Sequence, residues 1–257
     1  MRPGRLVLGL AGLAGFVLLL EVIPRAGLVP SRYLPPAADI AVALAGELAD
    51  AGFWAALRDT LSGWVIGLLI AAGAGVVLGL LIGAVPVLRA LTASTVEFLR
   101  PIPSVALIPL VVVLYGASLQ SKLVLVVYAA FWQMLVQVLH GVRDVDPVAD
   151  ETARAYGLGR AARITHVLWP TALPYVMTGL RLAAAVALIL CVTGELVIGA
   201  PGLGARIAVA QTSGAVPDLY ALIVVTGLLG VAINVGARAI ERYALRWHQS
   251  VRGETVG

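Results

Sequence analysis

Six stretches of this chain are each apolar enough to cross a lipid bilayer, and that pattern restricts the fold more than any other. A helix needs about 20 apolar residues to traverse the hydrocarbon core. Within that core the backbone must satisfy its own hydrogen bonds, which helices do segment by segment. The runs are Leu6–Ile23, Leu61–Val85, Pro101–Tyr115, Leu123–Leu139, Tyr175–Ile198 and Leu219–Ala237. Charged residues make up only 12% of the 257-residue chain, about half the share in a soluble domain. The fold class is therefore all-α, a polytopic membrane protein with about six spans. Leu6–Ile23 follows Arg2 and Arg5 as a leader's apolar core would. No small-x-small cleavage pattern comes after it, and it is read as a retained membrane helix.

Three segments follow from this pattern. Residues 1–57 hold the first span and an amphipathic extracytoplasmic stretch, Pro35–Arg58, marked by Asp39, Glu47 and Asp50. Residues 58–240 form the membrane core, and 241–257 a polar tail. With the N-terminus in the cytosol, the inside segments hold Arg2 and Arg5; Arg89 and Arg100; Arg143, Arg154, Arg160 and Arg163; and Arg238, Arg242, Arg246 and Arg252. The outside holds Arg25, Arg32, Arg58, Lys122 and Arg206. That bias is the positive-inside pattern, and it places both termini and the polar stretch after the fourth span in the cytosol.

Several functions lose support. The sole lysine, Lys122, lacks the glycines and Gly-Lys-Ser/Thr of a phosphate-cradling loop. His140, His166 and His248 show no ligand spacing, and a lone Cys191 inside an apolar run allows no intrachain disulfide. No basic soluble face suits nucleic acid. The clustered nucleophiles, carboxylates or histidines of a membrane enzyme are missing. So are the two similar halves common in secondary transporters.

The second span carries a small residue every fourth position: Gly63, Gly67, Ala71, Gly75, Gly79 and Gly83. A shorter stripe, Gly179, Ala183 and Ala187, lies on the fifth. In lipid, small faces let helix backbones approach closely. The partner is either another helix of the same chain, a second copy or a translocation path.

The polar stretch is built to be a hairpin. Asp146-Pro147 is an acidic N-cap followed by proline at the first helical position. Asp150 and Glu151 sit near the positive end of the helix dipole. Val148, Thr152 and Tyr156 share one face, and Gly157 is placed to end the helix. Leu158-Gly159 turns, and Arg160–Leu168 forms a second short helix stopped before Pro170. Two capped helices and a glycine corner exceed what a simple connection needs, so the stretch reads as a docking element.

"ETARAYGLGRAARITHVLWPTALP", from Glu151 to Pro174, resembles the EAA motif of ABC-importer permeases. Glu151, Thr152 and Ala153 stand at its start, Gly157 at its glycine and Leu173-Pro174 near its end. Thr152 replaces the usual alanine. "EFLRPIPSVALIPLVVVLYG" (97–116) and "GELVIGAPGLG" (194–204) are similar to stretches of the nitrate, sulfonate, taurine and bicarbonate branch. The resemblance covers about residues 34–245. It implies a type I, MetI-like importer permease fold, with coupling helices at about 146–169 seated on a separate ATPase dimer. It also implies a second permease copy completing the pathway and an extracytoplasmic binding protein delivering the solute. The chain itself would bind no cofactor or metal and would not be an enzyme, ATP and Mg residing on the ATPase. Glu151, Ala153, Arg154, Gly157 and Arg160 would carry the coupling, with Arg154, Arg160 and Arg163 also placed to meet anionic lipid.

Charges and prolines in the spans mark the pathway candidates. Arg181 either snorkels to the headgroups or faces a wet path and attracts an anion. Glu195, near the outer end of the fifth span, takes either a structural hydrogen bond or a solute contact. Pro103 and Pro109 free backbone carbonyls, which membranes tolerate only beside protein or water. Tyr115, Trp132 and Gln133 complete the set as pathway contacts or interface anchors. Related readings are a vitamin-uptake scaffold, for which a second matching hairpin is missing, and a permease for a pyrimidine-type vitamin precursor.

Overall fold

Helix after helix follows from the apolar runs, but several boundaries and one whole crossing differ from the sequence expectation. The computed structural model describes residues 3–247. Arg2, His248 and Arg252 lie outside the described residues. The elements are α1 (Pro3–Arg25), α2 (Ala37–Ala49), α3 (Ala51–Ala84), α4 (Pro86–Leu99), α5 (Ile108–Tyr115), α6 (Leu119–Arg143), α7 (Pro147–Ala155), α8 (Arg160–Arg163), α9 (Trp169–Ile198), α10 (Leu203–Ser213) and α11 (Val216–Ala244). A 3-10 turn, Ser104–Leu107, precedes α5, and a π turn, Ile164–Leu168, joins α8 to α9. Among the described residues five helical stretches are long and apolar enough to cross a membrane, or six if α4 with the 3-10 turn and α5 counts as one bent crossing.

Only the first part of the amphipathic stretch is a separate helix, α2. Asp50 then accepts a hydrogen bond from the Gly52 N–H at 3.0 Å and starts α3. Residues 51–60 are the opening turns of the span itself, so the 57/58 boundary falls inside a helix. With 34 residues, α3 is about 51 Å long at 1.5 Å per residue, far longer than the hydrocarbon core.

The small-residue stripe of α3 is spent inside the protomer. All six of its positions are buried. A Cβ added at Gly63 would meet Lys122, at Gly67 Val126, at Gly75 Met134, at Gly79 Val138 and at Gly83 Val142. Both series climb in steps of four or eight, so α3 and α6 lie side by side and run in the same direction. Two parallel crossings require the chain between them to return through the full thickness of the layer. Residues 85–118 make that return.

The third crossing is consequently longer than Pro101–Tyr115, and it is broken. α4, expected to be an inside connection, is its first half. α4 and the segment Ser104–Tyr115 are inclined by 81°, and Pro101 and Pro103 sit in the break, where neither has an N–H to continue a helix. Val96 and Leu99 of α4 pack with Trp132, Leu135 and Leu139 of α6. Ile108 and Val111 pack on Leu125, toward the other end of α6, and on Ile198. The break therefore falls at the depth of the middle of α6, and Arg100 falls in it rather than at the inner rim.

α9 runs antiparallel to α6. Gly141 is packed by Ala172 and Tyr175, Gly179 by Gln137 and Met134, and Gly194 lies against Leu125. The second hairpin helix does not stop before Pro170. Helical structure continues from Arg160 to Ile198, and the π turn Ile164–Leu168 opens the hydrogen-bond ladder just ahead of Pro170, where the ring and the missing N–H would otherwise break it. The Arg181 guanidinium meets Glu241 near the end of α11 at 3.2 Å. The Tyr220 hydroxyl, near the start of α11, donates to the Tyr33 carbonyl at 2.9 Å. The hairpin and the end of α11 thus share one side of the layer, while α2 and α10 share the other.

Packing this close tolerates no extra atom. Gly79→Ala places a Cβ 2.7 Å from Val138 Cβ and should cost about 1–3 kcal/mol, whereas Gly73→Ala meets nothing within 4 Å and should be neutral or slightly stabilising. Thermal unfolding of the two variants in detergent, compared with wild type, checks both.

Candidate functional site

The residues singled out by sequence fall into three places. The hairpin holds Glu151, Ala153, Arg154, Gly157 and Arg160. The bent crossing and the face of α6 beneath it hold Pro103, Pro109, Tyr115, Trp132 and Gln133. Arg181 and Glu195 lie on α9, the first near its middle and the second near its C-terminal end.

In the hairpin, the Asp146 carboxylate accepts from the Val148 N–H at 2.8 Å and caps α7. The corner is Gly157, with φ +77°, a conformation costing an L-residue about 1–2 kcal/mol. Ala153 is buried inward. Val148, Thr152 and Tyr156 are exposed, with Tyr156 81% accessible, so the shared face projects outward rather than into the protomer. Glu151 is exposed beside it. Sequence reading missed the strut that holds the two halves together. The Arg163 Nε and Nη2 donate to Asp150 Oδ1 and Oδ2 at 2.7 and 2.6 Å, and the Arg154 Nη2 donates to Oδ2 at 2.8 Å. These hydrogen bonds, the one from Arg163 first, hold the Asp150 carboxyl below its ordinary value. Arg160 and Arg163 line a cavity of about 640 Å³ together with Asp150, Arg154, Val142 and Pro86.

At the opposite side of the layer a buried polar knot joins four elements. Lys122 and Glu195 are 1% and 0% exposed, so neither charge sees solvent. The Lys122 Nζ donates to Glu195 Oε1 at 2.8 Å, to the Asp59 carbonyl at 3.0 Å and to the Pro201 carbonyl at 3.1 Å, which uses all three of its protons. Glu195 Oε2 accepts from the Thr60 hydroxyl at 2.8 Å and from the Gly204 N–H at 3.0 Å. The Leu203 N–H in turn donates to Thr60 Oγ1 at 2.9 Å. The glycines of "GELVIGAPGLG" make room for this carboxylate. A Cβ at Gly202 would overlap it, and one at Gly204 would strike the Val192 carbonyl. Lys122 was expected as an outer flanking charge. The structure seats it inside, as the counter-charge of Glu195. Cys191 is a buried free thiol next to the same knot.

The bent crossing is the least covered part of the protomer. α4 has no buried residue, and Pro103, Pro109 and Tyr115 are exposed. Under the bend, the Tyr128 hydroxyl donates to the Leu99 carbonyl at 2.7 Å. Trp132 is buried edge-on to Tyr128 with ring centroids 5.9 Å apart, and its indole N–H has no hydrogen-bond partner. Gln133 is half-buried on α6. Arg181 is neutralised by Glu241.

Comparison with known proteins decides what this arrangement belongs to. The family model for the binding-protein-dependent transport system inner membrane component matches residues 75–247. The chain belongs to that family. It is a permease component of an importer, and the family is one of transport components rather than enzymes. The taurine transport system permease protein TauC of Escherichia coli is 30% identical over 88% of this chain and 84% of its own length. A putative aliphatic sulfonates transport permease protein, SsuC of Bacillus subtilis, is 27% identical over 98% of the chain and 93% of its own length. A bacterial ABC transporter involved in import of the acidic polysaccharide alginate superposes with a TM-score of 0.66 at 16% identity, covering 94% of this chain and 96% of that one. The fold is therefore the type I importer permease fold.

Two tests follow from the polar contacts of this permease. Lys122→Met strands a buried carboxylate and should destabilise the protein by about 3–5 kcal/mol. The double change Lys122→Met with Glu195→Leu should recover a large part of that loss, read as Tm in detergent. For the hairpin, a carboxyl held low contributes stability above the unfolded value of about 3.9 that disappears as pH falls through the lower folded value. Hydrogen exchange of residues 147–163 should stay flat from about pH 8 to about pH 5 after correction for intrinsic rates, and protection should fall only below the ordinary carboxylate range.

Proposed function

We propose that this permease forms the translocation pathway for a small organic anion, of the sulfonate kind, and is driven by a separate ATPase that grips the Pro147–Leu168 hairpin. The observation that carries the reading is the hairpin's construction. It has a capped helix, a left-handed glycine corner and an internal Asp150–Arg163 strut. Its apolar residues Val148 and Tyr156 face outward, where the protomer offers them nothing to pack against. Such a face is a docking surface for another protein, and Glu151 supplies an acid at its edge.

In this reading the hairpin side is cytoplasmic, as are both chain ends, because Arg89, Arg143, Arg154, Arg160, Arg163, Arg238, Arg242 and Arg246 collect there. ATP and Mg act on the ATPase dimer, and this chain holds no cofactor. A soluble binding protein releases its solute onto the α2 and α10 side. A second, identical copy covers α4 and α5 and closes the pathway, and the arginine-bearing rim sits against membrane lipid. The names of the relatives, taurine and aliphatic sulfonates, support an anionic sulfonate as cargo.

Mechanically, closure of the ATPase pair displaces α7 and α8, and the strut passes the displacement to the continuous helical run from Arg160 to Ile198. Glu151→Lys should reverse the edge charge. Gly157→Val should force a β-branched residue into φ +77°. Either change should leave assembly with the ATPase detectable yet lower binding-protein-stimulated ATP hydrolysis and vesicle uptake by roughly tenfold or more, on the scale of about 1.4 kcal/mol per decade. Wild-type stimulation in both variants would remove the hairpin from the coupling path.

A further inference from the structure

We propose that Arg100 is the anion-recognising charge of the translocation pathway. This inference rests on the importer reading above and names the group that meets the cargo.

Four observations converge on the residue. First is its depth. Leu99, its neighbour, is bonded through its carbonyl to Tyr128 and packs among Val96, Trp132 and Leu135, around the midpoint of α6. A charge at the middle of a bilayer is expensive and is retained where it faces protein or water. Second is its freedom. Arg100 is exposed and, among the described residues, has no ion pair. Lys122 is matched by Glu195 and Arg181 by Glu241. Glu97, three residues earlier on α4 and also exposed, lies outside ion-pair distance of it. Third is the backbone. The crossing bends by 81° here, where Pro101 has no N–H to offer the Glu97 carbonyl and the Leu99 carbonyl is bonded by Tyr128 and Ile102 instead of by residue 103. In secondary transporters, interrupted helices near the midplane line the solute site. Fourth, Trp132, nine-tenths buried beneath the same bend, keeps an indole N–H without a partner.

A guanidinium presents a planar fork of N–H donors that matches two oxygens of a sulfonate or carboxylate at once. An exposed, uncompensated fork halfway through the layer is a relay point for such a group. It attracts the anion from the outer side. The neighbouring negative charge of Glu97 keeps the anion from settling there permanently. Arg181, the sequence-level candidate for this role, is already committed to Glu241.

The test uses the complete transporter, permease with ATPase and binding protein, in phosphatidylcholine vesicles. Taurine and an unsubstituted alkanesulfonate serve as probes, with uptake and ATP hydrolysis measured together. Arg100→Gln should lower uptake of whichever probe the wild type carries by roughly 10- to 100-fold, the range for losing a charge-assisted hydrogen bond. ATP hydrolysis stimulated by the binding protein should persist. Arg100→Lys should restore part of the uptake. Arg100→Cys should react with a sulfonate-bearing thiol reagent from the outer side and be protected by the transported probe. The native Cys191 is buried and gives little background. Unchanged uptake in Arg100→Gln overturns the proposal. So does rescue by the exchange Glu97→Arg with Arg100→Glu, which would make the two residues an ion pair between copies. If the wild type itself takes up neither probe with ATP, the sulfonate reading fails instead, and this proposal with it.

Discussion

The contact between α3 and α6 is the constraint from which the rest of this permease follows. Glycine at every fourth position removes side chains from one face of a long helix, and Val126, Met134, Val138 and Val142 fill the vacated groove. In a bilayer no water is expelled when two such helices meet, so the attraction comes from the number of atoms in contact. That geometry makes the two helices parallel and obliges residues 85–118 to cross between them. It also places Lys122 under Gly63, where a longer side chain on α3 would have displaced it. The second stripe, on α9, repeats the device against the other flank of α6, with Gly179 on Met134 and Gln137. The result is a three-helix core with α6 at its centre.

Around that core, charge is handled in two opposite ways. Lys122 and Glu195 are removed from solvent and fully hydrogen-bonded, and the loop from Gly199 to Leu203 is closed over them. A buried pair of this kind contributes little net stability over an apolar substitute, but it fixes which loop conformation is allowed, since every donor and acceptor in the knot has an assigned partner. Along the bent crossing the opposite holds. α4 buries nothing within the protomer and meets its neighbours through a few side chains. Weakly packed segments of this kind are the ones that open at low cost. The rigid α3–α6 seam and the loosely packed bent crossing are therefore opposite extremes of one fold.

Much of this was legible in the residues. The five long spans announce themselves by apolar length, and the hairpin by Asp146-Pro147 and the glycine at 157, since caps and corners are local chemistry. Other features depend on pairs that no local pattern reveals. Lys122 and Glu195 lie 73 residues apart, and Asp150 and Arg163 lie 13 apart across a turn. α4 was hidden because Arg89, Glu97 and Arg100 break its apolar run, so half of a membrane crossing looked like a polar connection. Its true role needed the parallel pairing of α3 with α6, which is a statement about three helices at once. The end of the second hairpin helix was misplaced because Pro170 was read as a stop, whereas the π turn ahead of it lets the helical run pass through.

One small irregularity links the two regimes. Between α8 and α9 the chain makes a π turn, in which the Trp169 N–H reaches back five residues to the Ile164 carbonyl. Relative to an unbroken α-helix, that wide turn holds one additional residue, and one residue corresponds to about 100° of rotation around the axis. The azimuth at which the hairpin leaves the span is thus set by a single inserted amino acid. An insertion or deletion at that turn re-aims the hairpin while the contacts of α9 with α6 keep their register, so the direction of the hairpin and the packing of the span vary independently.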